Sequence, residues 1–337
     1  MSTESTGLDG ALRDTFDWYP VAKKEFRDAI RSKGLWILSF VFTALFLIPA
    51  GQALFFGGNI RQDVAQVGMQ LFISRFYLNI VTLLVPIVVI FAGYAAVSDE
   101  RTSGSLKVLL SLPFSRRDVI VGKVVGRSAV VGVPLLVAMG LTGLFFALSD
   151  FQFKLDVFAW FALFTFGFTL VMTAIVVSIS GAMSTNLRSL AGAGLVYFYL
   201  SFGWNSLANT IGDLLADYAG IAGALRWQIV LFVKLISPTQ AYKTLTNSML
   251  GEGAGAAMTA RYSMFRKGPE TMQTICGDVL AGNPRTVQSM FGNRTVCESG
   301  GSSLPIYFSD PAVFLSFFLW IGLAAALSYY TFDRADL

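Results

Sequence analysis

The sequence contains no histidine, which removes the commonest metal ligand and the commonest general base. It contains two cysteines, Cys276 and Cys297, too few to hold a copper ion along a transport path without histidine. It also lacks the G-x-x-x-x-G-K-[ST] phosphate-binding loop, so the chain cannot hydrolyse ATP by itself. We therefore expect no enzyme activity, no catalytic residue, no metal site and no cofactor bound to this chain.

Charged residues are also scarce, at 14% of 337 residues, and they cluster between long apolar runs. The chain is 54% hydrophobic with a mean hydropathy of +0.62, which indicates a polytopic membrane protein. A helix needs about 20 apolar residues to cross a bilayer. Six runs meet this length: Leu35–Phe56, Phe76–Val97, Val119–Leu148, Val157–Ala182, Leu190–Ile211 and Ala312–Phe332. These runs predict an all-α membrane protein with six transmembrane helices, almost free of the buried charges that an ion-coupled carrier needs.

Residues 214–237 form a seventh apolar candidate, but Asp217, Arg226 and Lys234 interrupt it. An arginine in the middle of the bilayer costs about 2.5–3.5 kcal/mol. We therefore interpret this stretch as re-entrant or interfacial helices, and the sequence leaves its insertion in the membrane open.

The distribution of lysine and arginine predicts the orientation. With a cytoplasmic N-terminus, fourteen basic residues fall in the inner segments and three in the short outer loops. Both termini are then cytoplasmic, in a plasma membrane. The predicted regions are a cytoplasmic N-terminus (1–34), helices 1–5 with a cytoplasmic loop at 98–123 (35–211), a long extracytoplasmic segment (212–311), and helix 6 with a short tail (312–337).

The extracytoplasmic segment holds both cysteines and one glycosylation sequon. Cys276 and Cys297 are either a disulfide or two free thiols in that oxidising compartment. Asn293 begins an Asn-Arg-Thr sequon, whose occupancy stays open. Residues 240–310 otherwise show no pattern that assigns a fold.

Pro20–Lys33 predicts a basic amphipathic helix just before the first span. Its apolar face and its basic face are separated at helical spacing. Such a helix lies in the cytoplasmic interface near anionic headgroups, although the same residues can be a simple topogenic flank. The apolar face consists of Val21, Ala22, Phe26, Ala29 and Ile30. The basic face consists of Lys23, Lys24, Arg27 and Arg31.

The 98–123 loop combines leucines at helical spacing with a proline stop and clustered charges. This pattern predicts a short amphipathic helix whose apolar side is gripped by another protein. Gly104 permits a bend before that helix and Pro113 ends it. The alternative is a solvated loop whose leucines rest on the membrane surface.

Together these features resemble type-2 ABC transporter permeases, the membrane subunits of ABC exporters, and are most similar to the NosY-type branch. The loop carries the main match, through Glu100, Arg101, Gly104, Ser105, Leu106, Lys107, Leu109, Leu110, Ser111, Pro113, Ser115, Arg116, Gly122 and Lys123. The amphipathic helix carries a second, through Lys23, Lys24, Glu25, Phe26 and Arg27, and corresponds to the family's elbow helix.

The resemblance implies that the loop is a coupling helix docked on a separate cytoplasmic ATPase, which binds ATP and Mg. The leucines would be its anchors, and Glu100, Arg101, Lys107 and Arg116 could form ion pairs at the rim. It also implies a second permease copy or a paralogue, a lipid bilayer as surroundings, no nucleic-acid partner, and export of an unidentified substrate.

Three alternatives stay open. The chain could be a non-transporting scaffold or mechanotransmitter that docks the same ATPase, or a transport step in maturation of a copper enzyme like nitrous oxide reductase. A membrane-embedded enzyme is disfavoured because the chain has no histidine and its acids do not cluster beyond Asp99 and Glu100.

In the fifth run, four residues share a face that either lines a pathway or seam or packs against another helix. They are Tyr197, Ser201, Asn205 and Asn209.

Overall fold

The structure is a computed structural model, and it describes residues 8–56, 68–103, 115–149, 151–250, 261–262, 264–265, 269–289, 292–299 and 306–333. Long apolar helices dominate these residues. Five of them are long and apolar enough to cross a membrane: Lys33–Gln52, Leu78–Thr102, Arg116–Ala147, Leu155–Ala182 and Asp310–Thr331. The protein is therefore mostly helical and has the build of a polytopic membrane protein.

Three helices form the N-terminal part: α1 (Leu8–Thr15), α2 (Tyr19–Arg31) and α3 (Lys33–Phe56). Pro20 lies in the first turn of α2, where its missing N–H costs nothing. Ser32 has extended backbone angles, so it ends α2 and lets the long α3 begin in a new direction. The resulting elbow places the amphipathic α2 directly before the first apolar helix.

Residues 68–72 are helical and continue through a π-helical turn (Ile73–Tyr77) into α4 (Leu78–Gly93). A turn leads to the short α5 (Ser98–Thr102), which carries the first charges of the predicted coupling loop. Further along the chain, Ser115 caps the N-terminus of α6 (Arg116–Ala147). There Ser115 and Asp118 form a capping box, each side chain accepting the other's backbone N–H.

Helix α7 (Leu155–Ala182) is the centre of the bundle. It packs against α4, α6 and three later helices, α8 (Asn186–Phe198), α11 (Pro238–Met249) and α13 (Asp310–Asp333). Its threonines bond back to the carbonyl four residues earlier, which satisfies their hydroxyls inside an apolar core. Thr165 also shares a 2.9 Å hydrogen bond with the buried Tyr242 hydroxyl of α11.

The predicted span Leu190–Ile211 is helical throughout but is not one regular α-helix. It lies within α8, a π-helical turn (Tyr199–Gly203) and α9 (Trp204–Ala219). Because these pieces are separately too short to count as spans, the six-span topology stays a prediction.

The interrupted apolar stretch 214–237 forms the end of α9, a turn, and α10 (Gly223–Ile236). Gly220 ends α9 in the left-handed conformation, at a φ of +64°. The two helices pack as a pair, joined by an ion pair of Arg226 with Asp213 and by Trp204 Nε1, which donates to the Val233 carbonyl at 2.7 Å. The predicted helical pair is therefore present, while its insertion in the membrane stays untested.

The all-α class overlooked a β-hairpin. After α12 (Pro269–Thr274) and a π-helical turn (Ile275–Val279), strands β1 (Gly282–Ser289) and β2 (Gly292–Ser299) pair antiparallel. A short 3₁₀ turn (Ile306–Phe308) then leads to α13. The hairpin escaped prediction because its strands are polar and lack alternating apolar residues.

Two links tie this segment together. Cys276 in the π-helical turn and Cys297 in β2 form a disulfide with Cα atoms 5.7 Å apart. The fully buried Arg261 donates to Asp310, the first residue of α13, at 2.9 Å. The segment for which the sequence assigned no fold is thus fastened to itself and to the last helix.

Candidate functional site

Four charged side chains meet where α2, α5 and α6 come together, and we name Glu25, Glu100, Lys123 and Arg127 the charged junction. Lys123 Nζ lies 2.9 Å from Glu25 Oε1 and 2.7 Å from Glu100 Oε1. Arg127 donates to Glu25 Oε2 at 2.8 Å and to the Ala92 carbonyl of α4 at 2.9 Å. Lys123 and Arg127 therefore join the elbow helix α2 to α5 and α6, the two helices that flank the predicted coupling loop.

Local sequence explains why α2 can approach α6 so closely. Gly122 and Gly126 are one helical turn apart and lie on the face that meets α2. A Cβ atom at Gly122 would lie 2.6 Å from Val21 Cβ, and one at Gly126 would lie 2.7 Å from Glu25 Cβ. The two glycines thus leave the space that brings the Glu25 carboxylate within reach of the α6 cations.

The junction is largely shielded from solvent. The Lys123 side chain is 1% exposed and that of Glu25 is 9% exposed. Burial by itself would raise the pKa of Glu25, but the charges of Lys123 and Arg127 outweigh burial and hold that pKa below its usual value. Glu25 is therefore a stable carboxylate at neutral pH.

This depressed pKa predicts a pH dependence of stability. The contribution of Glu25 is complete above the unfolded-state pKa of about 4.3 and is lost as pH falls through the lower folded-state pKa. We expect Glu25→Gln to lower the melting temperature at neutral pH, with a difference from wild type that shrinks as pH drops below about 4. Intrinsic-fluorescence melts of both proteins across pH measure it.

The matched control for that series is Glu298→Gln, since Glu298 forms an exposed pair with Arg285 in the hairpin. Exposed pairs contribute little, so this variant should melt like wild type at every pH. A Glu25→Gln difference that grew toward acid pH would contradict the assignment.

A second set of hydrogen bonds surrounds α5. The backbone N–H groups of Val97 and Ser98 donate to Ser180 Oγ of α7, and Arg101 donates to the Gly181 carbonyl at 3.1 Å. Asn186 at the start of α8 donates to Asp99 at 2.9 Å. The end of the α4–α5 run is consequently fixed to the ends of α7 and α8 as well as to α6.

The structure describes only the two ends of the predicted coupling loop. Glu100 and Arg101 lie in α5, Ser115 caps α6, and Arg116 is its first residue. The remaining predicted coupling residues lie outside the described part of the chain: Gly104, Ser105, Leu106, Lys107, Leu109, Leu110 and Pro113. Glu100 and Arg101 bond to Lys123 and to the Gly181 carbonyl of the same chain, and their ion pairs with a partner stay a prediction.

The elbow residues divide between the junction and the surface. Glu25 is buried in the junction, whereas Lys24 and Arg27 are exposed and Lys23 and Phe26 are half-buried. Sequence reasoning missed Arg127 and the closing role of Gly122 and Gly126. The sequence did contain a signal for this site. Lys123 and Arg127 are four residues apart inside an apolar run, and each directly follows a glycine.

The other predicted site residues lie apart from the junction. Tyr197 is buried and donates to the Leu83 carbonyl at 3.0 Å, which is a helix-packing contact. Asn205 is exposed, and Ser201 and Asn209 are half-buried, so a pathway or seam role for this face stays a prediction. Asn293 lies in β2, opposite Gln288 in the register, and its glycosylation also stays a prediction.

No group of three or more histidine, cysteine, aspartate or glutamate residues in the described part of the chain could hold a metal ion. The chemistry of the junction is that of structural ion pairs between helices. It can transmit force between α2, α5 and α6, since moving one of the three requires moving or breaking the others.

Comparison with known proteins agrees with this architecture. Residues 19–337 match the ABC-2 family transporter protein family. The chain is 24% identical over 334 residues to the probable ABC transporter permease protein NosY of Pseudomonas aeruginosa PAO1, covering 95% of this chain and 98% of that protein. It is 26% identical over 242 residues to the protein of the same name from Stutzerimonas stutzeri, covering 71% and 83%. The chain therefore belongs to the ABC-2 family of transporters, as a NosY-like, membrane-embedded permease subunit rather than an enzyme.

Proposed function

We propose that the chain couples ATP hydrolysis by a separate cytoplasmic ATPase to export of a substrate across the plasma membrane. The family generally works with such an ATPase. The observation that carries the proposal is the charged junction. It places an ion-paired anchor at both ends of the predicted coupling loop, where α5 ends and α6 begins.

The junction gives the proposal a mechanical basis. A partner that grips Leu106, Leu109 and Leu110 would pull on α5 and α6 together. Because Lys123 ties α5 and α6 to α2, the elbow helix would follow the same displacement. Docking energy would then move three helices as one body instead of bending a single loop.

The topology in this proposal follows the distribution of basic residues. Both termini, α2 and the charged junction lie on the cytoplasmic side, and the disulfide-bonded hairpin lies outside. The continuous helical run 186–219 supplies the sixth crossing between α7 and the hairpin segment. Two permease copies, or this chain and a paralogue, would form the pathway with two ATPase subunits. The substrate remains to be identified.

The test begins with a mild-detergent pull-down of tagged protein from its native membrane. We expect a stoichiometric soluble subunit with a phosphate-loop ATPase fold. Leu110→Asp or Pro113→Asp should abolish its recovery and remove stimulation of its ATPase activity, since a charge or a lost helix stop spoils an apolar docking surface.

The matched control is Ile306→Asp, which places the same charge on an exposed apolar residue near the hairpin. It should leave partner recovery and ATPase stimulation unchanged. Full ATPase stimulation in both loop variants would overturn the proposal. One further measurement distinguishes a transporter from a scaffold or mechanotransmitter. Only the transporter should show substrate-stimulated ATP hydrolysis together with accumulation of substrate in reconstituted vesicles.

A further inference from the structure

A cavity of about 660 Å³ opens beside the charged junction, between α2, α3, α4, α5 and α6. Its volume is typical of small-molecule sites. One wall is apolar and is built from the long membrane helices, by Leu35, Leu38, Val88, Phe91, Ala92 and Val130. The rest of the lining includes a charged wall, built from Lys24, Glu25 and Asp28 of α2, Asp99 and Glu100 of α5, and Arg127 of α6. The cavity is therefore amphiphilic.

Three charged side chains of this wall, of both signs, form no salt bridge in the described part of the chain. Glu25 and Glu100 are already held by Lys123 and Arg127. Within the described residues, by contrast, Asp28 and Asp99 pair with no cation, although Asp99 accepts a hydrogen bond from Asn186. Lys24, one helical turn before Asp28, also forms no ion pair there. A ligand with one cation and one anion would complement these three side chains.

The cavity also faces the surface where a lipid would arrive. Phe91 lines it and is 66% exposed, and the neighbouring surface of α3 presents Trp36, Ile37 and Phe40, each more than 60% exposed. These side chains belong to helices long and apolar enough to span a membrane, so the apolar wall continues into the bilayer. If α2 lies in the interface as basic amphipathic helices do, the charged wall is at the level of the lipid headgroups.

We propose that this cavity binds one phospholipid with a primary-ammonium headgroup, of the phosphatidylethanolamine class. An acyl chain lies along Leu38, Val88 and Phe91, the phosphate lies near Lys24 on the Arg127 side, and the ammonium donates to Asp28 and Asp99. A choline headgroup offers no N–H donor, and a glycerol headgroup has no cation, so neither can satisfy the two carboxylates. The lipid would fill the angle between the elbow helix and the first two membrane helices.

The inference needs only the membrane location of the chain and does not depend on the coupling proposal. The experiment uses the delipidated full-length chain and three dioleoyl lipids, phosphatidylethanolamine, phosphatidylcholine and phosphatidylglycerol. Native mass spectrometry counts the lipids retained per chain. We expect one phosphatidylethanolamine to be retained, with a preference of about three- to tenfold over phosphatidylcholine, the net worth of one ordinary hydrogen bond, since Asp28 and Asp99 are exposed.

Variants assign the retained lipid to the cavity. Asp28→Asn should remove most of the preference, whereas Asp17→Asn, an exposed aspartate that precedes α2 and does not line the cavity, should leave it intact. Ala95→Phe should fill the cavity and reduce retention of all three lipids. Equal retention of the three lipids, or an unchanged preference in Asp28→Asn, would overturn the proposal. If millimolar soluble phosphoethanolamine displaced the retained lipid, the cavity would recognise the free headgroup compound, and the proposal of a lipid ligand would be overturned.

Discussion

Replacing Lys123 with methionine is expected to destabilise the protein by about 3–5 kcal/mol, the usual cost of removing one partner from a buried ion pair. Methionine matches the unbranched apolar stem of lysine and lacks only the terminal ammonium group, so the packing of α6 changes little. The loss is electrostatic. Glu100 loses its ammonium partner, and Glu25 keeps only Arg127. Melting temperature in a fixed detergent measures the effect.

The matched control is Lys33→Met, because Lys33 is an exposed lysine at the first residue of α3 with no ion pair in the described part of the chain. Its melting temperature should stay close to wild type. A second variant separates charge from packing: adding Glu100→Gln to Lys123→Met neutralises the stranded carboxylate and should recover part of the loss. If both lysine variants melt alike, the buried ion pair does not stabilise the bundle.

The same pair of variants also tests transmission. Below the melting temperature of Lys123→Met, a purely structural junction would leave ATPase stimulation by the folded chain intact. We expect Lys123→Met to lower ATPase stimulation. Adding Glu100→Gln should restore less of the ATPase stimulation than of the melting temperature. The reason is that glutamine restores neutrality but does not replace the short contact between α5 and α6.

The second large effect is expected from the glycines of α6. Gly122→Val should destabilise the protein by at least about 1–3 kcal/mol, the usual cost of overpacking a tight contact. Even the first added carbon would lie 2.6 Å from Val21 Cβ and 2.8 Å from the Trp18 carbonyl oxygen. Since backbone is one of the two neighbours, α2 must move away from α6 and carry Glu25 away from Lys123.

The change at Gly122 can be separated from a general effect of larger residues in α6. Gly140 lies in the same helix and is exposed, and a Cβ atom added there would have no neighbouring atom within 4 Å. Gly140→Val should therefore change stability little. Smaller steps at the contact, Gly122→Ala and Gly126→Ala, should fall between these extremes. Equal melting temperatures for Gly122→Val and Gly140→Val would show that α2 does not depend on this close approach.

Sequence reasoning identified what depends on local pattern. Runs of apolar residues predicted α3, α6, α7 and α13 because length and hydropathy alone decide whether a helix can cross a bilayer. Proline and basic residues at helical spacing likewise predicted α2. The residues that carried the resemblance included Glu25 and Lys123, which the structure brings within 2.9 Å of each other.

What escaped was non-local. Nothing in the sequence around Glu25 says that a lysine 98 positions later lies beside it. The contact exists only because Gly122 and Gly126 let two helices touch, and glycines inside an apolar run have several possible meanings. The hairpin escaped for another reason: the sequence of Gly282–Ser289 is polar and lacks alternating apolar residues, and the disulfide joins β2 to the preceding π-helical turn rather than to β1.

The central position of α7 has a consequence for how the protein is made. Synthesis proceeds from the N-terminus, so α4 and α6 are complete before α7 leaves the ribosome. Until then, the α4 residues Val81, Val85 and Val89, all at most 1% exposed in the finished bundle, lack their main neighbour. The first half of the chain must therefore wait, in the insertion machinery or in lipid, for the helix that organises it. A ribosome stalled between α6 and α7 would present quality-control proteases with an incomplete membrane domain.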